Sequence, residues 1–242
     1  MRIALIGYGK MGKTIEEIAL KRGHEIVARI TTSNPIDTLD FSEVDVAIEF
    51  TAPHFAVQHI EACVNHDTPV VVGTTAWNTH LDHVKDFVSS HNGSLLYASN
   101  FSIGVNMFFD INRRLAKLMS AYNDYSVLLE ETHHTEKLDS PSGTAVSLAN
   151  DIMLSNPSIS SWVHEDETLP ETKTGQLGVV SYRKPNVPGT HKITYSSEID
   201  TIELTHTAHS RNGFALGAVI AAEWLSGKKG IFTMQDVIKF EE

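Results

Sequence analysis

The sequence predicts an α/β protein in which a doubly wound parallel sheet is followed by a second domain of the α+β class. Three observations support this prediction. Short β-branched runs alternate with helical periodicity over the first hundred residues, a glycine-rich turn follows the first run, and after Gly104 the strands stop alternating with helices. Alternation of strands and helices is typical of βαβ units and a parallel sheet.

Five strands and three helices are predicted in the first hundred residues. The strands are expected at residues 2–6, 25–30, 44–50, 70–72 and 95–98. Between them, apolar residues recur at helical spacing in three stripes, which begin at Met11, Ala56 and Leu81. Gly23 is expected just after the first helix, because glycine readily adopts the left-handed conformation that ends helices. Each connection is short enough for the right-handed crossover of a parallel sheet.

The pattern after Gly104 predicts a different architecture. A long helix with a wide apolar face is expected at residues 105–121. Consecutive strands at 177–183, 191–197 and 199–207 favour antiparallel pairing. A last helix at 215–225 is expected to return to the first domain. We therefore expect residues 1–103 and 212–242 to form a dinucleotide-binding domain, and residues 104–211 to form a substrate-binding and oligomerisation domain.

Composition and charge narrow the function classes. The chain has 242 residues and a net charge of −11, with 19 Lys and Arg against 30 Asp and Glu. This balance argues against a nucleic acid or an anionic membrane as partner, because both bind clustered cations. No apolar run reaches the length of a membrane span and no signal peptide is recognisable, which predicts a cytoplasmic protein. Cys63, the single cysteine, is expected to be a small buried hydrophobe.

A glycine-rich turn of the form G-x-G-x-x-G joins the first predicted strand to the first predicted helix. It consists of Gly7, Tyr8, Gly9, Lys10, Met11 and Gly12. Glycines in this position let backbone N–H groups approach a pyrophosphate, whose charge is favoured by the amino terminus of the helix. The turn therefore predicts a Rossmann-like dinucleotide site; the alternative is a purely structural tight turn.

The residues after the second predicted strand bear on the choice of coenzyme. An Asp or Glu is expected there to bind the ribose 2′-hydroxyl, but residues 31–34 contain none. Hydroxyls together with Lys10 or Arg29 would tolerate a 2′-phosphate, although Arg29 is equally well read as an exposed charge at a strand end. We therefore expect NADPH to be used at least as well as NADH.

Two further loops follow predicted strands of the parallel sheet, at the edge where ligands bind. The first contains Phe50 and Thr51, and the second contains Gly73, Thr74 and Thr75. Small residues with hydroxyls there allow close approach of a ribose or a nicotinamide. As ordinary turn residues they would need no ligand, so both interpretations stay open.

Proton-transfer groups are concentrated in the segment from Glu130 to Thr144, just before a predicted helix. His133 can exchange protons at neutral pH, and Lys137 can donate a proton or hold a developing negative charge. Ser140 is the expected N-cap of the helix and Pro141 its first-turn residue.

The start of that helix predicts an anion site. Backbone N–H groups of Gly143 and Thr144 would point outward there, with the Thr144 hydroxyl beside them. A carboxylate is the group that fits such a site, so the substrate is expected to carry one.

The same segment closely resembles the signature E-x-H-H-x-x-K-x-D-(A/S)-P-S-G-T of the dihydrodipicolinate reductase family. The matching residues are Glu131, His133, His134, Lys137, Asp139, Pro141, Ser142, Gly143 and Thr144. Resemblance extends along the chain through the glycine-rich start, residues 49–51, 73–75 and 98–106, and the closing residues 210–218. The loop after the second predicted strand is shorter than in many bacterial members.

This resemblance implies reduction of the cyclic, dicarboxylated imine of lysine and diaminopimelate biosynthesis by NAD(P)H, with loss of water. It implies an acid/base role for His133 and a proton-donor role for Lys137. Substrate contacts are implied for His134, Ser142, Gly143, Thr144 and Arg211. Cofactor contacts are implied for residues 7–12, Phe50, Thr51, Gly73, Thr74, Thr75, Ala98, Ser99, Asn100 and Phe101. The resemblance also implies a homotetramer built through the open mixed sheet of the second domain.

Three other functions compete with this interpretation. One is another NAD(P)-linked reductase of a small carboxylated substrate, because similar sheets host many reactions. A non-catalytic nucleotide sensor would bind the cofactor without reducing the imine. A zinc hydrolase would use His133, His134, His206 and His209, although their spacing lacks the His-Glu-x-x-His form.

Overall fold

The computed structural model describes residues 1–210 and 212–238. These residues form two compact units. The first combines Met1–Asn106 with the chain from Asn212 onward, and the second lies between these two segments. The predicted fold class, a Rossmann-like parallel sheet plus an α+β unit with a mixed sheet, is confirmed.

The first unit contains a six-stranded parallel sheet in the order β11-β5-β4-β3-β1-β2. Its strands are β1 Arg2–Ile6, β2 Glu25–Ile30, β3 Val46–Glu49, β4 Val70–Val72, β5 Ser94–Tyr97 and β11 Gly230–Phe232. Its helices are α1 Lys10–Lys21, α2 Pro53–Asn65, α3 Leu81–Ser90, α6 Asn212–Leu225 and α7 Met234–Val237. The short strand β11 was not anticipated, because three residues leave no clear periodicity.

Both faces of this sheet are covered by helices, as the continuous apolar strands predict. Ile3 and Leu5 face a core shared with α1 and α6, whereas Ala4 and Ile6 face one shared with α2 and α3. All four residues are at most 1% exposed. A parallel sheet buried on both sides needs such runs without polar alternation.

Glycine allows α6 to lie directly against the backbone that follows β5. A Cβ atom at Gly217 would collide with the carbonyl oxygen of Phe101. The alanine-rich face of α6, including Ala218, Ala221 and Ala222, is fully buried in the same core. Small side chains therefore bring α6 close to the sheet.

The second unit contains a five-stranded mixed sheet in the order β10-β9-β6-β8-β7. Its elements are β6 Ser126–His133, α5 Gly143–Ser155, β7 Ser161–Asp166, β8 Gln176–Arg183, β9 Gly189–Ser196 and β10 Thr201–Ala208. The helix α4, Ile103–Met119, begins in the first unit and ends in the second. A single apolar core joins α4 and α5 to one face of this sheet.

The antiparallel pairing expected among the strands at 177–207 holds for only one of the two consecutive pairs, because β6 separates β8 from β9. Strand β6 lies between β8 and β9, pairing in parallel with β8 and antiparallel with β9, and β7 also pairs in parallel with β8. The pairing of β9 with β10 is antiparallel, as expected. The apolar periodicity does not reveal β6, because the end of this strand carries the polar residues of the candidate site. Without β6, the sequence suggests that β8 and β9 are neighbours in the sheet.

Two remaining expectations concern single features. Gly23 follows α1 with φ +82°, as predicted. Cys63 is fully buried, and this burial raises the pKa of its thiol, which agrees with a structural role.

Among the described helices, none combines the length and apolarity needed to cross a bilayer.

Candidate active site

The glycine-rich turn lies at the carboxyl edge of the parallel sheet, where β1 ends. Gly7 has φ +98°, and a Cβ atom there would overlap the carbonyl oxygen of Phe50. The N–H of Gly7 donates to the carbonyl of Ile30 at 3.0 Å, which ties the turn to the end of β2. A side chain at Gly12 would likewise collide with the Gly7 carbonyl. Gly7 and Gly12 therefore have no room for a side chain in this compact turn, whereas Gly9 lies in open space.

Helix α1 begins immediately after the turn, and its amino terminus is suited to an anion. Its N-cap is Gly9, no side chain caps its N–H groups, and its first turn contains no acidic residue. The first N–H groups of a helix lack intrahelical partners and carry partial positive charge. This arrangement fits a pyrophosphate.

A cavity of about 590 Å³ opens beside this turn, within the first unit. It lies where the strand order reverses between β1 and β3, the position at which doubly wound sheets bind ligands. Five of the predicted cofactor residues line it, namely Gly7, Tyr8, Gly9, Phe50 and Thr51. The other lining residues are Ile30, Thr31, Thr32, Pro35, Ile36, Asp37, Ala52, Phe55, Gln58 and His59.

The helix α2 contributes three cavity residues that sequence reasoning missed. Phe55, Gln58 and His59 stand at i, i+3 and i+4 positions, so they share one face of the helix. That spacing was the available signal. Their combination of aromatic rings and an amide suits a base and a ribose.

Of the groups that the sequence offers to a 2′-phosphate, Thr31 and Thr32 line the cavity, whereas Lys10 and Arg29 do not. Both guanidinium contacts of Arg29 go to the carboxylate of Glu16, and its charge lies 5.5 Å from the ring centre of Tyr8. Arg29 does not line the cavity, whereas the carboxylate-bearing residue Asp37 does. Among the described lining residues there is no Lys or Arg to meet a 2′-phosphate. The coenzyme preference therefore remains a prediction, now favouring NADH.

The hydroxyls of Thr51 and Thr74 are engaged with a carboxylate of the chain itself. Both donate to the buried carboxylate of Glu49 at the end of β3. The N–H of Thr51 also donates to the Thr74 hydroxyl at 2.7 Å. This hydrogen-bond network joins the loops after β3 and β4. Thr51 and Thr74 therefore hold these loops in place at the carboxyl edge of the sheet through Glu49.

The remaining predicted cofactor residues do not line the cavity. Lys10 is exposed, Met11 packs partly into the core, and Thr75 and Ser99 are exposed. Gly73 lies against the ring of Phe50, which a Cβ atom would overlap. Ala98 packs against the core, Asn100 accepts the N–H of Ser102, and the Phe101 side chain is 2% exposed in the core. A cofactor would meet Phe101 only through its backbone.

The second unit brings the His133 side chain onto a buried carboxylate. His133 ends β6, and its Nδ1 hydrogen-bonds the Glu131 carboxylate, which is completely shielded from solvent. Burial alone would raise the pKa of Glu131, but hydrogen bonds from His133, Ser181 and the Ser142 N–H lower it to about 2. Glu131 is thus an anion at neutral pH. A carboxylate can only accept, so Nδ1 of His133 carries the proton and Nε2 is left for proton exchange.

Two neighbours shape the surroundings of His133. The ring of His191 meets it edge-on, with ring centres 5.1 Å apart, and burial lowers the pKa of His191 to about 3. Gly189 lies beside Nε2 of His133, the atom left for proton exchange, because a Cβ atom at Gly189 would come within 3.0 Å of it. The site thus keeps a neutral histidine beside His133, and the close approach of the Gly189 backbone leaves no room for a side chain at Nε2.

The expectation that Ser140 caps α5 is wrong by two residues. The N-cap is Ser142, whose hydroxyl accepts the N–H of Ala145 at 3.2 Å and also contacts Nε2 of His191. Ser140 instead donates to Asp166 of the neighbouring strand β7. Because Ser142 is 2% exposed and committed to the cap, its effect on a substrate is through the shape of the helix start.

A carboxylate of the chain itself marks the start of α5. Both oxygens of Asp139 contact the ammonium of Lys137, at 2.8 and 2.9 Å. Hydrogen bonds from Lys137 and from the Gly143 N–H lower the pKa of Asp139. A lysine and a helix-start amide therefore bind one carboxylate here, as the sequence predicts for a substrate. Thr144 follows Gly143 in the first turn.

His134 points to a different space from His133. It lines a cavity of about 300 Å³ with Thr135, Glu136 and the loop from Pro185 to Pro188. Its Nδ1 is buried and has no hydrogen-bond partner among the residues that the structure describes. The His134 side chain therefore borders a cavity that could take a ligand group. Arg211, the last predicted substrate contact, lies outside the described residues.

The zinc arrangement considered from the sequence is not assembled. Within the described residues, the close set of potential metal ligands is Glu131, His133 and His191. Their atoms are already engaged: Glu131 accepts from His133, the Ser142 N–H and Arg183, and His191 contacts Ser142. His206 packs against the ring of Phe108 instead. In this structure the cluster is joined by hydrogen bonds between its own members and their neighbours.

In the first unit, the glycine-rich turn, the start of α1 and the adjoining cavity form a dinucleotide cradle. This cradle, together with His133, Lys137 and the start of α5 in the second unit, defines an NAD(P)-linked oxidoreductase. Comparison with known proteins identifies the family within this class. Residues 1–101 match the family model for the dihydrodipicolinate reductase N-terminus, and residues 104–238 match the model for its C-terminus. The chain belongs to the dihydrodipicolinate reductase family.

Individual relatives agree with this assignment. The chain is 48% identical to a 4-hydroxy-tetrahydrodipicolinate reductase of Christiangramia forsetii, over 98% of each chain. It is 35% identical to an enzyme of the same name from Rickettsia rickettsii, over 96% of this chain and 95% of the other. A dipicolinate-bound dihydrodipicolinate reductase from Paenisporosarcina has the same fold, with a TM-score of 0.78, 23% identity and 99% coverage of both chains.

Proposed function

We propose that the chain reduces 4-hydroxy-tetrahydrodipicolinate to tetrahydrodipicolinate with NAD(P)H, in the diaminopimelate and lysine pathway. The substrate loses water to give a conjugated, dicarboxylated imine, which then gains one hydride and one proton. The observation that carries this proposal is the cluster of His133, Lys137 and a carboxylate-binding helix start on one unit, in a chain whose other unit holds a dinucleotide cradle.

The cofactor residues belong to the first unit, which we propose as the dinucleotide-binding domain. The turn Gly7–Gly12 and the start of α1 would hold the pyrophosphate, and the cavity bounded by α2 would hold the adenosine half. Bound NAD(P)H supplies the hydride. The loops joined through Glu49, together with the backbone at residues 98–101, would form the edge along which the nicotinamide half lies.

The substrate residues belong to the second unit, which we propose as the substrate-binding and oligomerisation domain. One substrate carboxylate would replace Asp139 at the N–H groups and hydroxyl of Gly143 and Thr144. His134, which lines the cavity beside the loop 185–188, would contribute to holding a carboxylate. Arg211 is proposed as a further contact from the family resemblance.

Proton transfer would be carried by His133 and Lys137. Hydride addition places electron density on the ring, which needs a proton to reach the product. His133 would exchange protons through Nε2, with Nδ1 held by Glu131. Lys137 would donate a proton or stabilise the developing negative charge. Assistance of this kind contributes about 10²–10⁴-fold to the rate.

We also propose a cytoplasmic homotetramer. One face of the five-stranded sheet packs on α4 and α5, while the other carries the ion pairs of Lys192 with Glu130 and Glu203. The edge strand β10 exposes the apolar side chain of Ile202, which is 40% accessible. Light scattering after gel filtration should give the mass of four chains; the mass of a single chain would contradict this part of the proposal.

A coupled assay tests the proposed reaction. The unstable substrate is generated in the cuvette from pyruvate and aspartate semialdehyde by a separate synthase, and NADH or NADPH oxidation is followed at its absorbance maximum. The proposal predicts oxidation that requires both the synthase and this chain, and competitive inhibition by dipicolinate. Cofactor binding without imine-dependent oxidation would instead support the nucleotide sensor.

A further inference from the structure

The buried carboxylate of Glu131 hydrogen-bonds His133, the start of α5 and Arg183 in the second unit. One oxygen bonds Nδ1 of His133 at the end of β6. The other accepts the N–H of Ser142 at 3.1 Å, where α5 begins, and both terminal nitrogens of Arg183 at 3.1 Å each. A carboxylate shielded from water needs such partners, because unpaired buried charge is very costly.

The guanidinium of Arg183, at the end of β8, extends this network to the loop that carries Lys137. Besides Glu131, it donates to the backbone carbonyl of Asp139 at 2.8 Å. It also donates to the carbonyl of Tyr182 at 2.8 Å. Asp139 is the residue whose side chain holds the Lys137 ammonium. One ion pair therefore links β6, β8, the loop after β6 and the start of α5.

We infer that Glu131 and Arg183 are a positioning pair, which fixes the tautomer of His133 and the place of Lys137 relative to the anion-binding helix start. This inference rests on the proposed function for its kinetic consequences only. Neither residue needs to touch the substrate. Arginine suits this role because its planar fork reaches a carboxylate and a carbonyl at the same time, which a lysine cannot do.

The chemistry of the contacts explains why a glutamate is required. The groups that face Glu131 donate to it: an imidazole N–H, a backbone N–H, a guanidinium and the Ser181 hydroxyl. In a glutamine side chain, an NH₂ group takes the place of one of the two carboxylate oxygens, and this NH₂ group must then face a donor. If that position faces His133, the ring relieves the conflict by moving its proton to Nε2, the atom proposed for exchange.

Nitrogen-15 NMR of the full-length wild-type protein tests the tautomer directly. The ring of His133 is assigned by comparison with His133→Gln. We expect the neutral ring to carry its proton on Nδ1. A ring protonated on Nε2 would overturn the inference, and this result needs neither a variant of the pair nor a working assay.

Kinetics of Glu131→Gln test the consequence, with Glu130→Gln as the matched control. Glu130 is the neighbour of Glu131 in β6 and therefore lies on the opposite face of the sheet. Its carboxylate pairs with Lys192 at 3.5 Å. For Glu131→Gln we expect kcat to fall by about 10²-fold, since the general acid is misplaced, with NADH affinity unchanged. The control should keep kcat within about twofold, below the smallest such effect.

Arg183→Lys provides a second variant with a distinct signature. It keeps the charge beside Glu131 but loses the reach to Asp139, so KM for the imine should rise more than kcat falls. A folded Glu131→Gln protein with nearly wild-type kcat and an unchanged His133 tautomer would refute the positioning role. If wild type failed to reduce the imine, the proposed function would fail, while the NMR result would still decide the tautomer.

Discussion

Replacing His191 with glutamine should make the protein markedly less sensitive to acid. His191 is 4% exposed, and burial is the largest cause of its low pKa of about 3, followed by the nearby His133. The folded chain therefore keeps this ring neutral where the unfolded chain takes up a proton near pH 6.5. Because the unfolded state then binds more protons, the free energy of unfolding falls as the pH falls.

The size of the effect follows from that difference in pKa. Each pH unit between the unfolded and folded values costs about 1.4 kcal/mol per site. From about pH 6.5 to about pH 4.5, His191 alone lowers the free energy of unfolding by about 2 kcal/mol. Glu131, with its pKa lowered to about 2, loses most of its contribution only below its unfolded value of 4.5. The two groups therefore act in largely separate pH windows.

Urea unfolding followed by circular dichroism at the two ends of this window measures the effect. His191→Gln keeps an amide within reach of the Ser142 hydroxyl, which His191 contacts at 3.2 Å, but does not titrate. We expect the variant to lose about 2 kcal/mol less than wild type on acidification. The control His80→Gln removes an exposed histidine and should behave as wild type. Equal losses in His191→Gln and wild type would refute the argument from burial.

Three further predictions concern the cofactor cavity and the helix start. Wild type should favour NADH over NADPH in kcat/KM by about tenfold, which corresponds to about 1.4 kcal/mol of charge repulsion, and Asp37→Asn should remove most of this preference; an equal or better use of NADPH by wild type would contradict it. Gly7→Ala should weaken NADH binding in calorimetry by at least about tenfold, because a left-handed residue gains a Cβ in a filled space; unchanged affinity would contradict the described cradle. Ser142→Ala should lower the free energy of unfolding by about 1 kcal/mol through loss of the cap, whereas Ser147→Ala on the exposed side of α5 should not; equal effects would refute the cap.

The sequence predicts well those features that local chemistry determines. Strands β1 and β2 begin and end where the apolar runs predict. The glycine turn lies between β1 and α1 as predicted, because Gly7 and Gly12 have no room for a side chain there. The segment around His133 is likewise recognisable, since proton-transfer groups and a helix start occur together in it.

Features that depend on long-range pairing were not predictable in this way. The partner of Arg29 is Glu16, which helix periodicity does not reveal. Arg183 follows the site loop by more than forty residues, and only the parallel pairing of β8 with β6 brings it to Glu131. Asp37 was missed because the expected acidic position lies at the end of β2, whereas this residue reaches the cavity from the following short 3-10 helix.

The central claim is that His133 and Lys137 transfer protons in the reduction of a dicarboxylated imine. Steady-state turnover of His133→Gln and Lys137→Met in the coupled assay, with NADH affinity measured on the same preparations, tests it most directly. We predict that kcat falls by about 10²–10⁴-fold in each variant while NADH affinity is kept, because the cofactor cradle lies in the other unit. Near-normal turnover in both variants would contradict the claim.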